Sequence, residues 1–375
     1  MTESEKICNE IGAKFFCKDY VYQGLKYRDS KNNKIELCDG LFEYSETYMA
    51  LQIKERSKNT QGKSEEDWLK DVVYGVAAQQ IINTINGIRN VKIEVRDLYQ
   101  QRVQLNENYL IYPVIIFDNN KIQNYSKVIE VEGLKINVFR IDDYEKMMNS
   151  ISHPFDIFYY LSQRVNYISD SLPSIIISDL DDFQSIANID GEDDFAGFIM
   201  YLKYKGDFSF KMDALKILSI IEKFRKKQAK VNPNYKEILN VLQKIEPSHA
   251  SGFMERFNYA WKVSHENKFD ITKAIQIIVD NKKIDIIFCS IGTTPLSNVN
   301  HYEIICDAKQ LQHKSDCMVL ISFIGVENNE CLIDWTYYEK KYVPDDKMFD
   351  CYEKLGLYDG TITREIFEQM CKGIN

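Results

Sequence analysis

The sequence predicts a mixed α/β protein in two parts: a mixed sheet flanked by helices over residues 1–150, then a helical and β-sheet region over 151–375. Three observations predict it. In Thr47–Arg56, Met49, Leu51 and Ile53 alternate with Ala50, Gln52 and Lys54, the period-two pattern of a strand with one polar face. Immediately after it, Ser64 with Asp67 three residues on resembles a capping box that opens a long helix. Beyond residue 150 helical periodicity dominates until Lys283, where apolar strand-like runs return. A chain of 375 residues is also longer than one average domain.

Along the chain, Ile7, Ile11 and Phe15 recur at intervals of four and predict a helix over 4–15. Ser30-Lys31-Asn32-Asn33 separates Val21–Arg28 from Lys34–Tyr44, which read as paired strands. Ser45-Glu46 turns the chain into Thr47–Arg56, a polar linker runs over Ser57–Lys63, and the helix behind Ser64 reaches about Asn86, near Gly87. Tyr109–Asp118 is a strongly apolar strand, and Val128–Ile141 reads as a hairpin around Gly133. Asp156–Tyr167, Lys211–Gln228 and Tyr235–Lys244 are predicted helices, with the acidic stretch Asp179–Asp194 as a surface loop. Asp285–Ser290, Tyr302–Ala308, Met318–Val326 and Cys331–Trp335 are predicted strands, the last two joined by the turn 327–330, and a helical tail starts at Arg364.

Composition narrows the function classes. The hydrophobic fraction of 45% supports packed cores, and no apolar run is long enough to span a bilayer. Nine cysteines at irregular spacing, with no Cys-x-x-Cys, argue against a disulfide framework or a structural zinc. The opening residues Met1–Glu5 lack the basic start and apolar stretch of a secretory signal, so a reducing cytoplasm is expected. The net charge of −9 requires any nucleic-acid contact to come from a local basic surface.

The chemistry centres on Gln52-Ile53-Lys54. On a strand Gln52 and Lys54 project to one face while Ile53 enters the core, and Asp39 lies on the preceding strand across one tight turn. Phosphodiester hydrolysis needs a metal to polarise the phosphoryl group and to acidify a water, and a cation beside the developing charge. An Asp on one strand, with an amide oxygen and a Lys on the next, supplies those residue types. In a regular strand Glu36 and Asp39, three apart, face opposite sides, so Glu36 shares the side of Asp39 only across a bulge.

Glu36-Leu37-Cys38-Asp39 followed by Gln52-Ile53-Lys54 resembles the PD-(D/E)XK nuclease superfamily, over about residues 5–120, and is most similar to its Mrr-like Q-x-K members. Glu10 in Asn9-Glu10-Ile11-Gly12 matches the Glu that this subgroup carries on its first helix, and Gly75-Val76-Ala77-Ala78-Gln79 matches its G-A-x-x-Q element with Val76 as the departure. The resemblance implies a restriction-endonuclease-like fold and DNA cleavage with Mg²⁺ or Mn²⁺. It implies Glu10, Asp39 and Gln52 as metal ligands, Lys54 as the residue positioning the attacking water, and Glu36 and Gln79 in support. Arg56, Lys58 and Lys63 cluster beside this set and are the expected contacts to the DNA backbone. Defence against foreign DNA is what the family implies, with residues 151–375 acting in recognition, regulation, or assembly with a second copy or a partner protein.

Two other classes stay open: a nuclease-fold module that binds nucleic acid or a protein without cutting, and a P-loop nucleotide hydrolase built on Ser57–Ser64. In the latter, Ser57 stands where the first glycine of the phosphate-cradling turn belongs. A second Asp…Asp-x-Lys arrangement, Asp285 with Asp307-Ala308-Lys309, reads as coincidence because no helix follows it. The five histidines show no metal-ligand spacing, and the basic run Lys223, Arg225, Lys226, Lys227 and Lys230 reads as a solvated helix face or one that contacts phosphates.

Overall fold

On strand after strand of the N-terminal half, neighbouring apolar side chains point into two different cores, so a sheet must run between them. The computed structural model describes residues 2–28, 34–56, 62–122, 126–151, 153–167, 208–266, 268–279, 281–291, 300–325, 331–339, 349–354, 357 and 363–372. The chain forms two compact units, Met1–Leu215 and Lys216–Asn375. Beyond residue 150, Ile157, Tyr160 and Leu161 still belong to the first core.

The first unit opens with helix α1 (Glu3–Phe15), capped by the Thr2 hydroxyl accepting from the Glu5 N–H. Strands β1 (Val21–Arg28), β2 (Lys34–Tyr44) and β3 (Thr47–Glu55) follow as an antiparallel meander. Ser45 and Glu46, both at positive φ, form the tight turn between β2 and β3. Next comes one long helical run: α2 (Glu65–Trp68), a π-helical segment (Leu69–Ala77) and α3 (Ala78–Asn90). Ser64 caps it, its hydroxyl accepting from the Asp67 N–H at 3.0 Å, as the sequence predicts. The helix runs past Gly87 to Asn90, and neither the π-helical segment nor the small hairpin β4 (Glu94–Arg96) and β5 (Arg102–Gln104) is expected from sequence. Strands β6 (Leu110–Asp118), β7 (Ser126–Val131) and β8 (Leu134–Arg140), then α4 (Ile141–Ile151) and α5 (Pro154–Tyr167), complete the described part of this unit apart from the start of the next helix.

The sheet order is β1-β2-β3-β6-β8-β7, with β3/β6 and β6/β8 parallel and the other pairs antiparallel. Met49, Leu51, Ile53, Val114 and Ile116 pack on one face with α1, α4 and α5. Ala50, Ile115, Phe117 and Val138 pack on the other with Trp68, Val73, Ala77 and Ile81 of the long helix. The site strand β3 is thus central and covered on both sides. A Gln and a Lys at its end do not make it a polar edge.

The second unit is built on a four-stranded sheet of order β12-β11-β10-β9: β9 (Asp270–Val279), β10 (Lys282–Ile291), β11 (Cys317–Gly325) and β12 (Cys331–Tyr338). Helices α6 (Phe208–Gln228, within which the division between units falls), α7 (Tyr235–Gln243) and α8 (Pro247–His265) precede it in the chain. Phe253 and Phe257 of α8 meet Phe288 and Phe323 of the sheet edge to face. The predicted strand Tyr302–Ala308 is instead part of helix α9 (Asn300–His313). The physical reason is topological: β10 and β11 are parallel, and parallel neighbours need a crossover, which a helix supplies. Helices α10 (Phe349–Lys354) and α11 (Arg364–Lys372) follow β12. Asp179–Asp194, the turn 327–330 and Lys58 lie outside the described residues.

Candidate active site

The ladder between β2 and β3 starts at the turn, Tyr44 opposite Thr47, and ends at Gly40 opposite Leu51. Past that point the strands part. On the other side of β2 the register against β1 steps from Leu25–Cys38 to Lys26–Glu36, leaving Leu37 as an extra residue, a β-bulge. A parting ladder leaves backbone groups without their strand partners, and side chains take them. The Ile53 N–H donates to Asp39 Oδ2 at 2.7 Å. The Leu37 carbonyl accepts from Gln52 Nε2 at 3.4 Å and from the Thr84 hydroxyl of α3. The notch is therefore lined by Asp39, Gln52 and the residues beside them.

Burial pushes the Asp39 carboxyl up to about 6. The Ile53 N–H and the Lys54 ammonium act in the opposite sense, while the charges of Glu5 and Glu36 add to the rise. Lys54, half-buried at the end of β3, is the cation of the notch. It has no acidic partner within ion-pair distance among the described residues. Glu36 is exposed, and with the bulge at Leu37 its charge bears on Asp39.

Other predicted residues sit elsewhere. Glu10 is exposed on the outer side of α1, and the glutamate of α1 whose charge acts on Asp39 is Glu5. The inward positions of α1 are Ser4, Cys8, Asn9, Gly12 and Phe15. Asn9 Nδ2 donates to the carbonyls of Glu5 (2.8 Å) and Asp39 (3.2 Å). Its Oδ1 is buried without a partner, and it lies 2.6 Å from where a side chain on Gly40 would begin. Gln79 is also exposed, bonded to Asn83 at 3.4 Å. The residue one turn before Thr84 is Gln80, whose carbonyl accepts from Thr84 and whose side-chain oxygen is buried. The π-helical segment just before it advances the sequence past the α-helical phase, which moves the inward position by one residue.

Of the expected backbone contacts, Arg56 is committed to protein. It pairs with Glu65, donates to the Lys63 carbonyl at 2.8 Å and stacks over Trp68. Lys63 is exposed and paired with Asp71 at 2.5 Å.

Sequence reasoning misses a further acidic pair at the same end of the sheet. The Ser4 hydroxyl lies 3.0 Å from Glu55 Oε2 and 2.9 Å from Asp118 Oδ2. The buried Cys8 thiol reports the crowding: burial first, then the charges of Asp118 and Asp39, push it up to about 12. The signal available was the strand ends themselves, since β3 and β6 are parallel and Glu55 pairs with Asp118 in register.

A hard divalent cation takes oxygen ligands, and Mg²⁺ is commonly held by one or two carboxylates with water and substrate phosphate completing its shell. Among the described residues no three His, Cys, Asp or Glu side chains group closely enough to hold a metal ion. Asp39 is the carboxylate of the notch, in a field made negative by Glu5 and Glu36. A single carboxylate is a donor of the kind Mg²⁺ uses and is too few for a closed structural site.

The unit is, by class, a helix-flanked mixed-sheet protein with an Asp–Gln–Lys notch between two parting central strands. No family model, curated protein or solved structure matches the chain.

Proposed function

We propose that the N-terminal unit is a metal-dependent DNA endonuclease of the PD-(D/E)XK type, acting in the cytoplasm in defence against foreign DNA. One observation carries the reading: Asp39, its carboxyl raised to about 6, is fixed by the Ile53 N–H at the point where β2 and β3 separate, with Lys54 next along the chain. A bound Mg²⁺ or Mn²⁺ supplies Lewis acidity and an acidified water. The protein's own part is to hold the ion by Asp39, to keep the Gln52 oxygen beside it through the Nε2 bond to Leu37, and to place the Lys54 ammonium near the developing charge. The C-terminal unit acts in recognition, regulation or assembly. Among the described residues no helix is long and apolar enough to cross a membrane.

The test is cleavage of plasmid and single-stranded DNA with Mg²⁺ or Mn²⁺, comparing wild type with Asp39→Ala and Lys54→Ala. Each substitution is expected to lower the rate by at least about a hundredfold, and EDTA to abolish it. Equal cutting by all three proteins defeats the site assignment. A second reading, a module of this fold that binds DNA without cutting, is favoured by the occupied Gln52 amide and by the lack of a three-acid cluster among the described residues. It predicts binding that ignores both Mg²⁺ and Lys54→Ala.

A further inference from the structure

Helix α6 carries a charge pattern that the notch does not use. Five of the eight residues 223–230 are Lys or Arg and none is acidic, in a chain of net charge −9. The helix is anchored by Ile217, Ile221 and Phe224, all buried, with the Phe224 ring 5.3 Å from Tyr235 and 4.8 Å from Trp335. At about 100° per residue, Lys223, Lys226, Lys227 and Lys230 fall within roughly a 100° arc turned away from that anchor. All four are exposed. None has an acidic partner within ion-pair distance among the described residues.

Lysines near a helix C-terminus offset the macrodipole, which accounts for one or two of them in the last turn. It does not account for a stripe that begins a turn earlier and continues to Lys230, past the last helical residue. Unpaired like charges on one face repel one another. They persist at low cost only in water or against an opposite charge of similar extent.

We propose that this face of α6 is a docking surface for the phosphate backbone of duplex DNA, which gives the second unit the task of holding substrate. The identity of the occupant rests on the nuclease reading; the surface itself rests on charge complementarity. Lysines placed this way contact phosphates without reading bases, so the contact is independent of sequence and steeply dependent on salt.

The experiment is fluorescence anisotropy of a labelled duplex with the full chain in EDTA, between about 50 and 200 mM salt. Wild type is compared with a triple variant, Lys223→Gln, Lys226→Gln and Lys227→Gln, and with the corresponding triple Lys→Arg protein. The Gln triple is expected to bind at least tenfold more weakly, with a slope of log affinity against log salt shallower by about 2 to 3. The Arg triple should bind as wild type, and thermal melts confirm that all three fold. Wild-type affinity and slope in the Gln triple overturn the proposal. So does binding seen only with phosphatidylserine vesicles, or no duplex binding by wild type. Cleavage by Asp39→Ala separates the two readings: stripe-dependent binding without Asp39-dependent cleavage sinks the nuclease alone, and Asp39-dependent cleavage with an unchanged slope sinks the stripe alone.

Discussion

Asp39 gives the fold a pH dependence whose sign can be worked out. Its carboxyl is raised from 3.8 to about 6, so the folded state favours the protonated form more than the unfolded chain does. That contribution to stability is complete below about pH 4 and is lost as pH rises through 6. Any activity that needs the carboxylate is gained across the same interval. Asp39→Asn keeps an acceptor for the Ile53 N–H and removes the charge. It should therefore melt higher than wild type above pH 6, by on the order of 1–2 kcal/mol after discounting for solvent screening, while losing cleavage. Identical melting curves at pH 5 and pH 8 for both proteins count against a raised Asp39. A second residue-scale test concerns the contact between Asn9 and Gly40. Gly40→Ala sets a methyl about 2.6 Å from Asn9 Oδ1, at an expected cost of about 1–3 kcal/mol. Adding Asn9→Ala should recover part of it. Strictly additive losses in urea titrations would show that the two do not touch.

At the scale of elements, the strands of the six-stranded sheet were legible because each carries a plain signal. The alternation of 48–54, the apolar run ending at Asp118 and the Gly133 turn all fall where expected, Gly133 at φ +77°. The same signals place β2 and β3, and with them Asp39, Gln52 and Lys54. The helices were less exact about depth than the strands. In α1, Phe15 is buried and Ile7 and Ile11 pack against the core as their spacing suggests, while Cys8, Asn9 and Gly12 lie deeper than the two isoleucines. They do so because the helix approaches the sheet closely: a Cβ on Gly12 would meet the Phe42 ring at 2.1 Å. Glu10 lies on the exposed side of this helix, while the charge of Glu5 reaches Asp39. In the long helix, nine residues of π-helical winding shift the phase and exchange Gln79 for Gln80. Such winding bonds i to i+5 and is uncommon, so amides in Leu69–Ala77 should exchange with deuterium faster than those in Ala78–Asn90. Equal protection across the two stretches, measured by mass spectrometry, would remove the basis for the phase argument.

For the molecule as a whole, the two units differ in how far their polar groupings can be read from sequence. The first gathers Asp39, Gln52 and Lys54 at one end of one sheet, where short motifs survive as readable strings. The second buries Asp285 completely between His313, at 2.8 Å, and Gln276, at 2.9 Å. That buried carboxyl is hydrogen-bonded by neighbours from another strand and a helix, which no local pattern announces. The arrangement once set beside the notch, Asp285 with Asp307-Ala308-Lys309, dissolves in the fold: Asp307 accepts from the Tyr338 hydroxyl and Lys309 donates to Gln312 at 2.8 Å, both on a helix.

The extra residue at Leu37 makes the whole centre contingent on a single codon. Deleting it would let β1 and β2 zip in an unbroken register, with Glu36 two positions from Asp39 and still on its side of the sheet. The chain would keep its hydrophobic inventory almost intact, but the extra carbonyl that accepts from Gln52 and Thr84 would be lost. A frame-preserving loss of three nucleotides would thus leave a folded chain without that anchor for Gln52, detectable as a near-normal melting curve and, on the nuclease proposal, as lost cleavage.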